Sequence, residues 1–285
     1  MFSRVKEGFH LINVIGDRRQ WRQFEIIPTQ NLVAILTRIV RRSKKIKLNK
    51  SVVTFENPLE HLLLYVHFEL VLNLFSLLDK KDVKSCLDIG ANCGQFAIAL
   101  KCFDSGVDIL SIEPNWEIYK LLEDNSRKFI KWRTYCAAVS DRDSQGTLTF
   151  VPGRSGQGSE NGENATLNLL KTGKGSRTKT IVTRKMTMAN ILKDTKAEAS
   201  FDLVKVDVEG SEESVLLGLK GVKFRYLILE INPERIGIRS ILDAERLIEN
   251  IVGNKKRVVC LGKLSGFNNE FHNSDFLFQI VENEL

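Results

Sequence analysis

The segment "CLDIGANCGQFAIAL", residues 86–100, combines an acid with two glycines just before a helix-like pattern. Asp88 lies near the end of an apolar run, where it can hold a cationic amine. Gly90 permits a tight turn, and Gly94 lets the backbone approach a ligand closely. The spacing matches neither a G-x-G-x-x-G pyrophosphate site nor a P-loop. Since an acid before the turn would also repel phosphate, the segment favours a ligand with an amino-acid zwitterion and a nucleoside.

The next apolar run, "DILSIE", ends in an acid, Glu113, that lies 23 residues after Gly90. Doubly wound folds place the acid that accepts hydrogen bonds from ribose hydroxyls at a spacing of about 20 residues. The alternative interpretation is an acid that caps the helix beginning at Trp116. We favour the ribose role because Asp88 and both glycines accompany Glu113.

A second charged segment, "FDLVKVDVEG", interrupts an apolar strand pattern with three charges: Lys205, Asp207 and Glu209. Alternate residues of a strand share a face, so these three side chains point one way and the valines between them point the other. Three charges would be costly in a core, and we expect them at the mouth of a cavity. The next run, "YLILEIN", ends with Glu230 and Asn232 on one face. Catalysis or substrate contact is our interpretation, and a structural ion-pair cluster is the alternative.

Short apolar runs alternate with helix-like segments over most of the chain. The predicted strands are 85–90, 108–113, 134–139, 147–151, 202–208 and 226–231. The predicted helices are 95–101, 116–129, 188–193 and 212–218. This alternation indicates an α/β fold with a mostly parallel sheet and helices on both faces. "KRVVCLG" and "DFLFQIV" have no clear helix between them and predict a closing antiparallel hairpin.

The formal charge of +7 is concentrated at the N-terminus, where residues 1–50 hold 12 Lys and Arg against 3 Asp and Glu. The basic arm Arg38–Lys50 favours peripheral contact with an anionic surface, and a solvated helix end is the alternative. Leu59–Leu78 is long enough to span a bilayer, but its internal Glu, His and Asn residues favour a helix packed on a core.

With 285 residues and 43% apolar composition, the chain can bury a substantial core. Its five cysteines are an odd number without a C-x-x-C pair, which favours free thiols in a reducing compartment. The first residues lack the pattern of a signal peptide, and we expect a cytoplasmic protein. Residues 152–180 are rich in Gly, Ser, Asn and Thr, which predicts a mobile surface excursion. We favour a lid that orders over substrate, and a flexible insertion is the alternative.

Four segments resemble the FkbM-type S-adenosylmethionine-dependent methyltransferases. They are "CLDIGANCGQFAIAL", "SIEPNWEIYKLLEDN", "AAVSDRDSQGTLTF" and "FDLVKVDVEGSEESVLLGL" followed by "YLILEIN". The resemblance is colinear over about residues 81–281. It implies a class I, Rossmann-like methyltransferase domain at 81–285, with a doubly wound, mostly parallel seven-stranded sheet. The basic, mainly helical N-terminal extension, residues 1–80, lies outside the resemblance.

The resemblance also implies roles for single residues. The motif that surrounds the methionine part of the cofactor is matched by Asp88, Gly90, Asn92 and Gly94. Glu113 matches the ribose-binding acid, and the turn near adenine is matched by Ser140 and Asp141. The K-x-D-x-E-G signature, whose individual roles the resemblance leaves open, is matched by Lys205, Asp207, Glu209 and Gly210.

The resemblance implies an O-methyltransferase that uses S-adenosylmethionine to methylate a hydroxyl of a sugar, glycan or natural product. We expect four catalytic residues, Lys205, Asp207, Glu209 and Glu230, with Asp207 or Glu209 as the base and Lys205 steadying the carboxylate or the alkoxide. His272 is a weaker candidate for the base. A divalent metal on Asp207, Glu209 and Glu230 is a second interpretation that we do not favour, and we assign no metal ligand.

Two other functions are compatible with parts of the sequence. A nucleic-acid methyltransferase would use the basic arm, but "NPER", residues 232–235, lacks the second proline and the aromatic residue typical of enzymes that methylate base amino groups. A non-catalytic cofactor-binding module would not need the charged segment at 205–209. We therefore expect a small-molecule or glycan acceptor and no nucleic-acid partner. The sequence does not predict an oligomeric state.

Overall fold

A computed structural model of the chain describes residues 45–48, 51–54, 60–150, 158–160, 179–208, 210–231, 240–253, 256–264 and 274–282. The strands are β1 Lys45–Leu48, β2 Ser51–Thr54, β3 Ser85–Ile89, β4 Asp108–Ile112, β5 Trp132–Tyr135, β6 Ala138–Val139, β7 Ser144–Phe150, β8 Gly158–Glu160, β9 Lys179–Met186, β10 Ser200–Val206, β11 Lys223–Ile231, β12 Lys256–Lys263 and β13 Ser274–Glu282. The helices are α1 Glu60–Leu77, α2 Gln95–Phe103, α3 Trp116–Ser126, α4 Met188–Thr195, α5 Glu212–Gly218 and α6 Ile241–Val252, with a 3₁₀ turn at Lys80–Asp82.

The central sheet has seven strands in the order β12-β13-β11-β10-β3-β4-β5. The pairs from β11 to β5 are parallel, whereas β13 runs antiparallel to both β11 and β12. The predicted doubly wound, mostly parallel sheet and its closing hairpin are therefore confirmed. The strand order reverses between β3 and β10, and doubly wound sheets bind ligands outside the carboxyl ends of the strands at such a point.

Helices cover both faces of this sheet, and each face has its own core. Apolar residues of α1, α2 and α3 pack on one face, called the α1 face below, and those of α4, α5 and α6 pack on the other. The local sequence explains where several helices begin. The side chain of Asn115 accepts a hydrogen bond from the backbone at the start of α3, and the side chain of Ser240 does the same for α6. Two acids in the first turn of α5, Glu212 and Glu213, suit the positive end of that helix.

A second sheet, with the order β6-β9-β7-β8, was not predicted. The run at 134–139 is divided between two sheets, because β5 ends at Tyr135 in the central sheet and β6 begins at Ala138 in the second. The run at 147–151 forms part of β7, which pairs antiparallel with β8 and β9 instead of joining the parallel sheet. The continuous apolar pattern at 134–139 does not reveal where the chain changes sheets.

The proposed lid, residues 152–180, lies mostly outside the described residues. Its described parts are β8 and the first two residues of β9, Lys179 and Thr180. Both belong to the second sheet, so this excursion contains regular structure that its polar composition did not predict. No disulfide joins the five cysteines, all of which lie within the described residues.

The N-terminal extension is described from Lys45 onward, apart from residues 49–50 and 55–59. Lys45–Leu48 form a strand of the antiparallel β1–β2 hairpin, so a helix end is wrong for this part of the basic arm. The predicted helix at 59–78 is observed as α1, and its apolar residues share the α1-face core with those of α2. Among the helices within the described residues, none combines the length and hydropathy that crossing a bilayer requires.

Within the described residues, the hairpin packs Val53 into the α1-face core and is also joined to the rest of the molecule by the buried amide of Asn125. Asn125 Oδ1 accepts a hydrogen bond from the Thr54 backbone N–H at 2.8 Å, and Asn125 Nδ2 donates to the Thr54 carbonyl at 2.7 Å. The same Nδ2 donates to the carbonyl of Cys93 at 3.0 Å. Cys93 lies between β3 and α2, so this side chain connects the extension to the glycine loop of the predicted cofactor site.

Candidate active site

The glycine loop between β3 and α2 requires glycine at both predicted positions, for steric reasons. Gly90 has φ of 78°, and a Cβ there would lie 1.8 Å from the carbonyl oxygen of Asp207. Gly94 has φ of 92°, and its Cβ would lie 2.7 Å from the ring of Trp132. The missing Cβ of Gly94 therefore makes room for an indole ring, whereas we had expected it to make room for a ligand.

Asp88 lies near the end of β3, fully buried on the α1 face. Ser111 of β4 donates a hydrogen bond to Asp88 Oδ2 at 3.2 Å, and Trp132 Nε1 donates to Ser111 Oγ at 3.0 Å. Because the indole N–H can only donate, Ser111 must accept from Trp132 and direct its own proton to Asp88. Asp88 Oδ1 has no hydrogen-bond partner among the described residues. Burial raises the pKa of Asp88 to about 6, although Lys205 and Ser111 favour its charged form.

Glu113 follows β4 and binds the backbone of two loops, the glycine loop and the turn that leads into α3. Its Oε2 accepts from the N–H of Asn92 at 2.8 Å, and its Oε1 accepts from the N–H of Asn115 at 2.9 Å. Asn92 has φ of 53°, a left-handed conformation that asparagine tolerates better than most residues. Burial raises the pKa of Glu113 to about 7, against the effect of these hydrogen bonds. Glu113 therefore fixes the glycine loop relative to the end of β4.

The strand that carries the K-x-D-x-E-G signature divides its residues between the two cores, as predicted. Val204 and Val206 belong to the core opposite the α1 face. Lys205 lies on the α1 face with 1% exposure, and its Nζ is 5.6 Å from the centre of the Phe96 ring of α2. We had expected all the charges of this segment at the mouth of a cavity. Lys205 is instead buried in the core of the α1 face.

Lys205 Nζ forms an ion pair with Asp207 Oδ2 at 2.8 Å, and the Asp207 side chain is 32% exposed. Burial disfavours the charge of Lys205, but the acids Asp207, Asp88 and Asp275 outweigh it and raise the pKa of the ammonium. Asp88 is also the register neighbour of Lys205 across the β3–β10 pair. One buried ammonium thus interacts with carboxylates on both sides of the point where the strand order reverses.

Further carboxylates lie beyond Asp207 at the same edge. Glu230 of β11 is directly opposite Asp275 of β13. Burial, followed by the charges of Asp207, Asp275 and Glu212, raises the pKa of Glu230 to about 8, while Lys205 acts in the opposite direction. The structure therefore brings together Lys205, Asp207 and Glu230. Glu209, the fourth predicted catalytic residue, lies outside the described residues, as do Asn232 and His272.

Glu212 and Asp275 belong to this acidic cluster, and sequence reasoning missed both. Glu212 is 1% exposed at the first position of α5, and its Oε1 accepts from the N–H of Gly210 at 2.9 Å. Its Oε2 has no partner among the described residues, and burial raises its pKa. Glu212 follows the signature by two residues, which was the available signal. Asp275 had no such signal because it begins a strand, and β13 brings its N-terminal end to this edge by running antiparallel.

Ser140 and Asp141, predicted to lie near adenine, follow β6 in the second sheet. Ser140 Oγ donates to Asp141 Oδ1 at 3.1 Å and lies 3.1 Å from Ser214 Oγ of α5. A Cβ at Gly218 would lie 2.4 Å from the Ser140 carbonyl oxygen, so α5 approaches this turn closely. The pair is thereby attached to the helix that follows the signature, and its described hydrogen bonds do not extend to Asp88 or Glu113.

No group of three or more His, Cys, Asp or Glu side chains within the described ranges is arranged to hold a metal ion. Glu209, which belongs to the carboxylate set of the metal interpretation, lies outside those ranges.

The described site residues form two groups on one face of the sheet. The group around the glycine loop, with Asp88 and Glu113, is called the cofactor half after its predicted role. The group around Lys205, with Asp207, Glu230 and Asp275, is called the acidic half.

Comparison with known proteins identifies the family to which the chain belongs. The model of the methyltransferase FkbM domain matches residues 88–250, which begin at Asp88 and include the glycine loop, the signature and Glu230. The chain belongs to the FkbM methyltransferase family. The match confirms both the resemblance seen in the sequence and the expectation of a methyltransferase.

The FkbM methyltransferase is also similar to part of a curated protein, the AMB antimetabolite synthetase AmbE of Pseudomonas aeruginosa. The two chains are 26% identical over 180 residues, which is 53% of this chain and 8% of AmbE. The chain thus spans less than a tenth of the length of that relative.

Among solved structures, the chain is similar to magnesium protoporphyrin IX methyltransferase (ChlM) from Synechocystis PCC 6803 with bound SAM. Identity is 11%, coverage is 79% of this chain and 83% of that chain, and the TM-score is 0.41. It is also similar to the O-methyltransferase from Bacillus cereus in complex with SAH. For this pair the identity is 11%, the coverage is 92% of this chain and 96% of that chain, and the TM-score is 0.39.

Proposed function

We propose that this FkbM methyltransferase transfers the methyl group of S-adenosylmethionine to a hydroxyl oxygen of a sugar, glycan or natural product. The observation that carries the proposal is the adjacency of the two halves of the site on the α1 face. Asp88 of the cofactor half and Lys205 of the acidic half are register neighbours across the strand pair where the sheet order reverses. A methyl donor in one half would therefore face proton acceptors in the other.

The residues of the cofactor half fit S-adenosylmethionine. Asp88 Oδ1 is a buried acceptor without a partner in the described structure, which suits an ammonium group. Each oxygen of Glu113 accepts one backbone N–H and retains a further lone pair for a ribose hydroxyl. The family resemblance supports a role for Ser140 and Asp141 near adenine. The bound cofactor would supply an electrophilic methyl group, and the chain's contribution is to align the acceptor oxygen with it.

Glu230 is the residue that best fits the general base. A sugar hydroxyl is a poor nucleophile until its proton leaves, and a base works best with a pKa near the working pH. Glu230 meets that condition, with a pKa of about 8. Asp207 is engaged by the Lys205 ammonium at 2.8 Å, which favours its charged form and weakens it as a proton acceptor. We therefore assign Asp207 and Lys205 to orienting the acceptor and Glu230 to removing its proton.

The acidic half supports a neutral or cationic acceptor over a nucleic acid, because phosphates would be repelled by the carboxylates of Asp207 and Asp275. The name of the matched relative, an antimetabolite synthetase, is compatible with a natural-product acceptor. Five cysteines without a disulfide among them support a reducing location such as the cytoplasm. The basic arm before Lys45 would add contact with an anionic surface.

Calorimetry with S-adenosylmethionine and S-adenosylhomocysteine on the purified chain tests the cofactor assignment, and we expect saturable binding of both. Transfer is tested by incubating extracts of neutral glycans and small metabolites with methyl-labelled S-adenosylmethionine. We expect label in a product that is one methyl group heavier by mass spectrometry and absent with the Glu230→Gln variant. Failure of the folded chain to bind either compound would refute the proposal.

A further inference from the structure

The part of the chain that the structure describes contains three buried side-chain atoms without a hydrogen-bond partner. They are Asp88 Oδ1, Gln95 Nε2 and Glu212 Oε2. Burying such an atom destabilises the folded chain unless a ligand or a water satisfies it. Asp88 lies near the carboxyl end of β3, Gln95 begins the helix that follows β3, and Glu212 begins the helix that follows β10. Two of them, an acceptor on Asp88 and a donor on Gln95, flank the glycine loop.

The second of these atoms lies at the start of α2, a helix of nine residues. Gly94 precedes the helix and provides no capping side chain, and the first turn contains no acidic residue. The first N–H groups of a helix have no partner within it and carry partial positive charge. A buried amide donor, Gln95 with 1% exposure, lies beside them. The start of α2 thus presents donors and no internal anion.

We propose that Gln95 binds the carboxylate of the amino-acid part of the cofactor through Nε2, together with the N-terminus of α2. The assignment rests on the proposed function and adds a residue to the cofactor site. Asp88 supplies an acceptor for an ammonium group at one end of the glycine loop, and Gln95 supplies a donor for a carboxylate at the other. These polarities match the two charges of an α-amino acid zwitterion. A neutral amide binds the carboxylate without introducing a cation that would pair with Asp88.

Decarboxylated S-adenosylmethionine provides a direct test, because it keeps the ammonium, the sulfonium and the nucleoside but lacks the carboxylate. Dissociation constants for both ligands are measured by calorimetry on the full chain. For Gln95→Leu we expect S-adenosylmethionine to bind about 10-fold or more weakly, as for the loss of a hydrogen bond to a charged group. The decarboxylated ligand should change by less than about twofold, since the contact it would lose is absent.

Two further variants separate this contact from general damage. Gln95→Glu should weaken S-adenosylmethionine by charge repulsion and leave the decarboxylated ligand bound, whereas Asp88→Asn should weaken both ligands because both carry the ammonium. Gln145→Leu, at an exposed position of β7, is the matched control and should change neither. The ratio of the two dissociation constants within one variant is independent of the folded fraction, so partial unfolding does not imitate the result.

Equal weakening of both ligands in Gln95→Leu and Gln95→Glu, or no weakening of either, would overturn the assignment of Gln95 and leave the proposed function standing. If the wild-type chain binds neither ligand, the proposed function and this assignment fail together. A constant ratio would mean that a buried water, and not the cofactor carboxylate, satisfies Gln95 Nε2.

Discussion

The two halves of the site hold their carboxylates in different ways. In the cofactor half, Asp88 and Glu113 are fixed by hydrogen bonds from a serine hydroxyl and from two backbone N–H groups. In the acidic half, Glu230, Asp207 and Asp275 face one another, and the ammonium of Lys205 offsets part of their repulsion. The first half is held mainly by hydrogen-bond donors that do not titrate, and Lys205 adds a charge interaction with Asp88. The second half is held by charges, so its state depends on protonation.

This difference separates binding from proton transfer. A carboxylate with fixed donors keeps its position and suits recognition of a cofactor. A carboxylate crowded by others has a raised pKa and can exchange a proton near neutral pH, which suits a base. The contrast predicts that changes in the acidic half alter the rate and its pH dependence, whereas changes in the cofactor half alter affinity.

The largest expected effect follows from removing the base. With an acceptor identified by methyl labelling, the wild-type kcat should rise with pH and level off above about 8, as Glu230 loses its proton. Glu230→Gln should lower kcat by about 10²–10⁴-fold and abolish this rise. Asp207→Asn should keep the rise but move it to lower pH, because the charge of Asp207 helps to raise the Glu230 pKa. A rise that survives in Glu230→Gln and disappears in Asp207→Asn would assign the base to Asp207.

The next largest effect concerns stability. Lys205→Met leaves buried carboxylates without their ammonium and should lower the free energy of unfolding at pH 7 by about 3–5 kcal/mol, measured in urea. This loss in the free energy of unfolding should be smaller at pH 5. The pKa values of Asp88 and Glu230 are raised, so both carboxyls are then mostly protonated and need no counter-charge.

Lys101 provides the matched control for that measurement. It is also a buried lysine, but its Nζ donates to backbone carbonyls, including that of Val107, which do not titrate. Lys101→Met should therefore destabilise the chain without recovery at pH 5. Equal pH dependence of the two variants would contradict the charge-based account of the acidic half.

The smallest expected effect concerns the hydrogen bond that Ser111 donates to Asp88 and its influence on cofactor affinity. Affinity for S-adenosylmethionine should fall as pH drops through about 6, where Asp88 gains a proton. Ser111→Ala removes a hydrogen bond that favours the charged carboxylate, so the midpoint of this fall should move to higher pH. At pH 7 the affinity should be roughly twofold weaker, in line with a shift of about one pKa unit. Ser76→Ala, at an exposed position of α1, is the control, and an unchanged midpoint in Ser111→Ala would count against the Trp132–Ser111–Asp88 chain.

The sequence was most informative where local pattern decides the structure. The glycine turn, the alternation of faces around Lys205 and the bounds of α5 at Glu212–Gly218 were all predicted. Each depends on residues that are close in the chain, such as a left-handed glycine or charges at every second strand position. The two acids at successive strand ends, Asp88 and Glu113, were likewise predicted in position.

The residues that were missed depend on contacts between distant segments. Asp275 reaches the site only because β13 runs antiparallel, so a residue at the beginning of a strand joins residues at the ends of others. Trp132 and Ser111 carried no chemical signal, because an indole and a hydroxyl in apolar runs look like core residues. Gln95 is identified only by its burial without a partner, and burial is a property of the folded chain.

The amide of Asn125 has a consequence for any shortened form of the protein. A chain that began at Glu60, the first residue of α1, would lose the backbone N–H and carbonyl of Thr54, which are two of the hydrogen-bond partners of Asn125. Asn125 would keep its hydrogen bonds with Lys128 and with the Cys93 carbonyl, and water would have to replace Thr54. Methyl-donor affinity in such a truncated enzyme should therefore report on the missing hairpin as well as on the catalytic domain.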